Sequence, residues 1–196
     1  MNKNIFLLST MILAIFNMAC KKSETNRIKI EGFQLFDNLG NTIGRIGPAD
    51  NDWQFINWSS LSSFEQALLN SADTVNTNNT SVSSVSFNPY PNPVKFVSAI
   101  GLASADSVKF KLVIVDESGA VLKHIEKKIK GPSSFLIDVS DRNIFPAAKS
   151  LRYYYSFSAA NNLHFKIGYG DIKICDYPFF LEPSSQNLHL IEQTCF

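Results

Sequence analysis

Residues 107–129 read SVKFKLVIVDESGAVLKHIEKKI. Val108, Phe110, Leu112 and Ile114 alternate with Lys109, Lys111, Val113 and Val115, the period of two that sets successive side chains on opposite faces of a strand. Asp116-Glu117-Ser118-Gly119 carries the chemistry that reverses a chain, and Val121 to Ile129 returns with a mixed, lysine-rich face. The segment predicts a β-hairpin with one strongly apolar face, and such a face needs a second layer to cover it.

Downstream the same signature repeats. SFLIDVS (134–140) is a strand ended by Asp141-Arg142-Asn143, LRYYYSFSA (151–159) is the next, and LHFKIGYGDIKIC (163–175) the last. In the last, the apolar set moves from Phe165, Ile167 and Tyr169 to Ile172 and Ile174, which predicts a β-bulge at Gly170-Asp171. Upstream, Asn88-Pro89-Tyr90-Pro91-Asn92-Pro93 holds every second residue extended and removes backbone donors. It predicts a straight, unpaired ramp into the sheet. Residues 70–84, dense in Asn, Ser and Thr, read as a loop or linker.

Closer to the N-terminus, IKIEGFQLFDNLGNTIGRIG (28–47) predicts a hairpin turning at Asp37 to Asn41. Ser62 followed by Glu65 is a capping box, and Leu61, Phe64, Leu68 and Leu69 give the helix it opens an apolar side. Between them lies PADNDWQFINWSS (48–60), loop-like yet rich in aromatics. Sixteen Phe and six Tyr supply a core that favours strands. The fold expected is therefore mostly β: an antiparallel β-sandwich, Ig-like, with an N-terminal hairpin and one short helix.

The first twenty residues carry one Lys, an apolar run from Ile5 to Phe16, and Ala19 directly before Cys20. That order predicts a secretory signal peptide over 1–19, since the run is shorter than the roughly 20 residues a membrane span needs. Met18-Ala19-Cys20 resembles the lipobox of bacterial lipoproteins, which implies lipidation at Cys20 and a membrane attachment without a crossing. Lys21 and Lys22, with no Asp after the Cys, resemble an outer-membrane address, facing either the periplasm or the cell surface. The division expected is signal peptide 1–19, lipid-anchored tether 20–27, hairpin and helix region 28–81, and sandwich with a pinned tail 82–196.

Without Lys3 the chain holds 17 basic against 17 acidic residues, and with no basic run it offers nothing to a nucleic acid. With Cys20 lipidated, Cys175 and Cys195 remain in a compartment where disulfides persist. A bridge between them closes a loop worth about 3 kcal/mol on the chain-entropy account. It would pin the tail against the last strand; metal binding is the alternative, without a CxxC pair or His cluster to accompany it.

Tyr90-Pro91-Asn92-Pro93-Val94, then VIVDESGAVL (113–122) and IDVSDRNIFPA (137–147), resemble the C-terminal β-sandwich module of Bacteroidota type IX secretion cargo over residues 88–176. The resemblance implies a sandwich and a bacterial group. The whole chain resembles Bacteroidota lipoproteins. Asp73-Thr74-Val75 and Asp106-Ser107-Val108 resemble the short O-glycosylation sites of the same group.

Catalytic signatures are missing from the sequence: His124, His164 and His189 are far apart, and there is no HExxH, GxSxG or phosphate-cradling loop. Asp50-Asn51-Asp52 offers oxygens of the kind calcium takes but lacks a full ligand set; a polar turn is the simpler reading. Trp53 and Trp58, and an outward pair Tyr153 and Tyr155 beside Arg152, are the candidate ligand-binding residues, with core packing as the alternative for each. The function expected is a non-catalytic cell-envelope lipoprotein acting as an interaction or scaffold module, with no cofactor or metal. A glycan-binding surface lipoprotein is the alternative, so the partners expected are the membrane and an envelope protein or glycan.

Overall fold

Two long strands, β5 (Val97–Asp116) and β6 (Val121–Asp138), form one antiparallel hairpin, seen in a computed structural model that describes residues 27–50, 52–70, 84–159, 162–178 and 181–196. Cys20 and its lipobox, Asn51 and Asp73-Thr74-Val75 lie outside those residues. The free side of β5 is used twice. Its first half pairs with β4 (Val85–Tyr90) and its second half with β7 (Ser150–Ala159). The sheet continues from β7 to β8 (Asn162–Lys173) and then to the short β3 (Gln54–Ile56).

Between the two halves the β5–β6 register breaks from Ser104 to Val108, opposite Gly131 at φ 73°. A glycine takes that left-handed conformation without steric cost. Here the six-stranded sheet curls over on itself. Phe87 of β4 then stacks on Tyr155 of β7 with ring centroids 4.1 Å apart, and lies 5.7 Å from Phe110. The molecule is a mostly-β antiparallel sandwich whose two layers share their longest strands. Segments 121–129 and 134–140, expected as separate strands, are both parts of β6 and the residues that follow it.

Alternation accounts for the core between the layers. Val108, Phe110, Leu112 and Ile114 point inward with Ile100, Leu102, Tyr153, Tyr155 and Phe157. The opposite face of the larger layer is also apolar at Val113, Val115, Tyr154 and Ile167, and a second core covers it with Ile28, Leu61 and Leu69. Leu69 belongs to α1 (Ser63–Leu69), which opens with the expected capping box at Ser62 and Glu65. Burying one such leucine contributes about 1.5–3 kcal/mol. Glu65 also ties the helix to the strand beneath it, because its carboxylate accepts a 2.6 Å hydrogen bond from the Tyr154 hydroxyl.

Three expectations need correction. The proline stretch is not an unpaired ramp, because Asn88, Pro89 and Tyr90 pair with Gly101, Ile100 and Ala99. Among the described residues β4 has β5 as its sole neighbour in the sheet, and such an edge position tolerates proline. Past the cis Tyr90–Pro91 and Asn92–Pro93 bonds, Asn92 exchanges backbone hydrogen bonds with Phe36 and Val94 bonds Lys173 and Cys175. The stretch thus runs from one sheet edge to the N-terminal hairpin, β1 (Phe33–Phe36) and β2 (Thr42–Ile46).

The second correction is in β8, where the register is continuous through Gly170 and Asp171. Ile167 serves the second core while Ile172 and Ile174 serve the first, so the change of phase reflects two covered faces and no bulge. Third, the tail contains a second helix, α2 (Leu188–Cys195). Cys195 lies at disulfide distance from Cys175, with Cα atoms 5.4 Å apart, and Tyr177, Leu181 and Ile191 are buried with them. The tail also reaches the hairpin, where the Phe196 ring lies 5.1 Å from Phe33.

Candidate functional site

Arg152 of β7 and Asp171 of β8 face each other across the strand pair. Arg152 Nε and Nη2 each donate to one Asp171 carboxylate oxygen at 2.7 Å, the bidentate geometry that suits a guanidinium. Nη2 also donates to the Lys29 carbonyl at 3.0 Å, and the guanidinium lies 4.2 Å from the Tyr169 ring centre. Charged residues buried within two apolar strands are costly unless paired in this way.

Asp52, 5% exposed, joins them from the turn before β3. One of its oxygens accepts from the Asp171 backbone N–H at 2.6 Å and the other from the Gln34 N–H at 2.8 Å. Asn92 completes the arrangement: its amide donates to the carbonyls of Gln34 and Asp171 at 2.7 and 2.8 Å, and its oxygen accepts from Lys173 N–H at 3.1 Å. Segments distant in sequence are thereby fastened at one point, and the N-terminal hairpin is docked on the sandwich.

Burial pushes the Asp52 carboxyl up to about 7, against the Gln34 hydrogen bond and with the Asp171 charge adding to the rise. Burial likewise raises Asp171, opposed by Arg152. For Arg152 burial acts downward, but the Asp171 hydrogen bond and charge win and hold it protonated. A cleft of 280 Å³ opens beside this cluster, with Lys29, Glu31 and Asp50 on its walls. Chemically, both Asp52 oxygens and both Asp171 oxygens are already engaged by protein donors, so the cluster is built to hold elements together.

The aromatic candidates lie elsewhere. Tyr153 and Tyr155 are fully buried in the central core and Tyr154 in the second; the outward strip expected of Tyr153 and Tyr155 is not formed, because both faces of the strand are covered. Trp53 is half-buried against the central core, its ring parallel to Tyr155 at 6.4 Å and edge-on to Tyr153 at 6.0 Å. Trp58 is half-buried against the second core, in a 3-10 turn over Trp58–Ser60. All four side chains therefore pack as core, the alternative to ligand binding.

His124 is exposed and 3.2 Å from Glu126, and His189 approaches Gln193 on α2. Among the described residues no group of three His, Cys, Asp or Glu is placed to hold a metal ion. Asp106-Ser107-Val108 falls at the fold in β5, with Val108 buried. Sequence reasoning named Arg152 and Asp52 but not their joining through Asp171 and Asn92. The available signal was a lone Arg and a lone Asp, each inside an apolar strand. No protein-family model and no curated protein matches the chain.

Proposed function

We propose that the protein is a lipid-anchored cell-envelope component that works by binding a partner and not by catalysis. The observation that carries this reading is the engagement of the buried carboxylates: each Asp52 oxygen accepts a backbone N–H, from Gln34 or Asp171, and each Asp171 oxygen accepts from Arg152, which also donates to the Lys29 carbonyl. Carboxylates held this way serve docking. Two further features support it. The lipobox-like trio ending at Cys20 fits an anchored protein, and Cys175 and Cys195 at disulfide distance fit an oxidising compartment.

The glycan-binding alternative drew on Trp53, Trp58, Tyr153 and Tyr155. Their packing against the cores leaves it without the flat, open aromatic platform that sugar stacking uses. Cross-linking in intact bacterial cells, followed by mass spectrometry of the captured partners and compared with Cys20→Ala, tests the proposal. A defined envelope protein captured by the wild type and lost in the variant supports it. Recovery of polysaccharide alone transfers the function to the glycan reading.

A further inference from the structure

Folding the β5–β6 hairpin back on itself brings four strand ends to one end of the sandwich. Tyr153, which pairs with Ile114 near the end of β5, has Ser98 from the start of β5 beside its hydroxyl. Ser140, and then Lys123 near the start of β6, hold the Asp138 carboxyl at the end of β6 below its usual range. The loop from Val139 to Lys149 closes the same end, held by Arg142, which donates to the Val139 and Lys95 carbonyls and pairs with Asp176.

This end carries Phe96, Val97, Val121, Leu136 and Ile144, five of the nine large apolar side chains exposed among the described residues. Leu136 is 71% exposed and Val121 52%. The other four lie on the hairpin turn (Leu39), whose Gly40 abuts the Tyr90 ring beside Ala99 and Leu136, on β3 (Phe55), and on α2 with the residue after it (Leu190 and Phe196). Exposed apolar side chains gathered at one end of a fold suit an interaction face. Asp116, Asp138 and Asp141 lie at this end too, as carboxylates that accept turn N–H groups from Ser118 and Ala120, Ser140, and Asn143 respectively. Arg27, Lys123 and Lys149 stand around it, with the Glu117 carboxylate among them.

The chain also arrives here. Ile28 N–H donates to the Glu117 carbonyl at 2.9 Å, and Arg27 and Ile28 line a 540 Å³ cleft together with Leu122, Ile144 and Lys149. The residues before Arg27 include the apolar run 5–16 and Cys20. From Cys20 to Arg27 an extended chain spans at most about 25 Å. An anchor on so short a lead holds this end of the sandwich nearest the bilayer.

We propose that this end is a membrane-docking face, in which Phe96, Val97, Val121, Leu136 and Ile144 enter the interfacial region of a glycerophospholipid bilayer. Arg27, Lys123 and Lys149 meet its phosphates. The inference rests on the lipid-anchored reading for its direction. Single nitroxide labels at Val121→Cys, Leu136→Cys and Ile144→Cys, with Lys130→Cys beside Gly131 at the bend as the distant control, test it in the full chain expressed in bacteria. The purified protein is placed on vesicles of phosphatidylethanolamine and phosphatidylglycerol in equal parts. Power saturation against oxygen and a water-soluble nickel chelate reads depth, and the mass of the N-terminal peptide reads lipid on Cys20.

The expected result is a several-fold rise in the oxygen-to-nickel accessibility ratio at the three end positions and none at Lys130. A lipidated Cys20 with all four labels equally open to nickel overturns the docking face and leaves the anchor standing. Labels shielded to the same degree before vesicles are added overturn it in favour of a second copy of the chain. An unlipidated Cys20 with end labels still immersed removes the anchor and keeps the face; unlipidated protein with open labels removes both.

Discussion

Gly170 of β8 leaves the space that the Trp53 indole occupies: a Cβ on Gly170 would come within 2.0 Å of the ring. Trp53 itself is at φ 61°, a left-handed conformation uncommon outside glycine, so its placement depends on that vacancy. Gly170→Ala is expected to destabilise the fold by about 1–3 kcal/mol, the usual cost of overpacking. Urea unfolding measures this through the midpoint. Adding Trp53→Leu should recover part of the loss; an additive double mutant would show that the two sites do not meet.

Removing Arg152 leaves Asp171 buried without its counter-charge. Arg152→Met is expected to cost roughly 3–5 kcal/mol, whereas Arg152→Met with Asp171→Leu should cost much less, as breaking a buried pair is worse than replacing it. Chemical denaturation of both variants provides the comparison. Equal losses would mean that the pair's geometry matters more than its charge.

The Asp52 carboxyl titrates near 7 in the fold and near the ordinary aspartate value when unfolded. The folded state therefore holds the proton more tightly. Its contribution to stability is fully present below about pH 4, declines as pH rises, and is lost by about 7. Burial raises Asp171 in the same sense. Glu65, Glu126 and Asp138 are lowered and act with opposite sign at more acid pH. Between about pH 5 and 7 the wild type should lose on the order of a few kcal/mol more than Asp52→Asn does. Thermal melts across that range give the slopes, and parallel slopes would remove Asp52 as the cause.

The tail helix is held by Cys175 and Cys195 and by a small cluster around Tyr177, Leu181 and Ile191. Reduction, or Cys195→Ser, should lower stability by about 3 kcal/mol and open α2 to proteolysis before the sandwich. Calorimetry with and without reductant, followed by limited digestion, checks both. Unchanged melting would mean that the cluster alone secures the tail.

Strands were legible where their two faces differ. Val108 to Ile114 could be read because lysines punctuate it, and the capping box at Ser62 marked α1 for the same local reason. Residues 97–104 escaped because Gly101 and the alternating Ala and Ser positions blunt the pattern, although Ile100 and Leu102 are core. Tyr153, Tyr154 and Tyr155 misled in the opposite way: alternation requires two faces, but says nothing about whether both are covered. The Asp52, Asn92, Arg152 and Asp171 cluster depends on cross-strand register, which no local spacing encodes. α2 starts at Asn187 without a side-chain cap hydrogen bond, and a lone Asn, with no Glu or Gln placed to complete a capping box, is too common a residue to mark a helix start.

The shared β5–β6 hairpin gives the sandwich the mechanics of a spring clip. Its two leaves are one ribbon bent at Ser104 to Val108 and at Gly131, so they cannot slide past each other and can part only by flexing at that bend. The mouth of the clip is the end where Arg27 enters. A pull transmitted through the N-terminus would therefore be felt first at the Ile28 to Glu117 hydrogen bond, and would peel the lead away from the mouth before shearing any long strand.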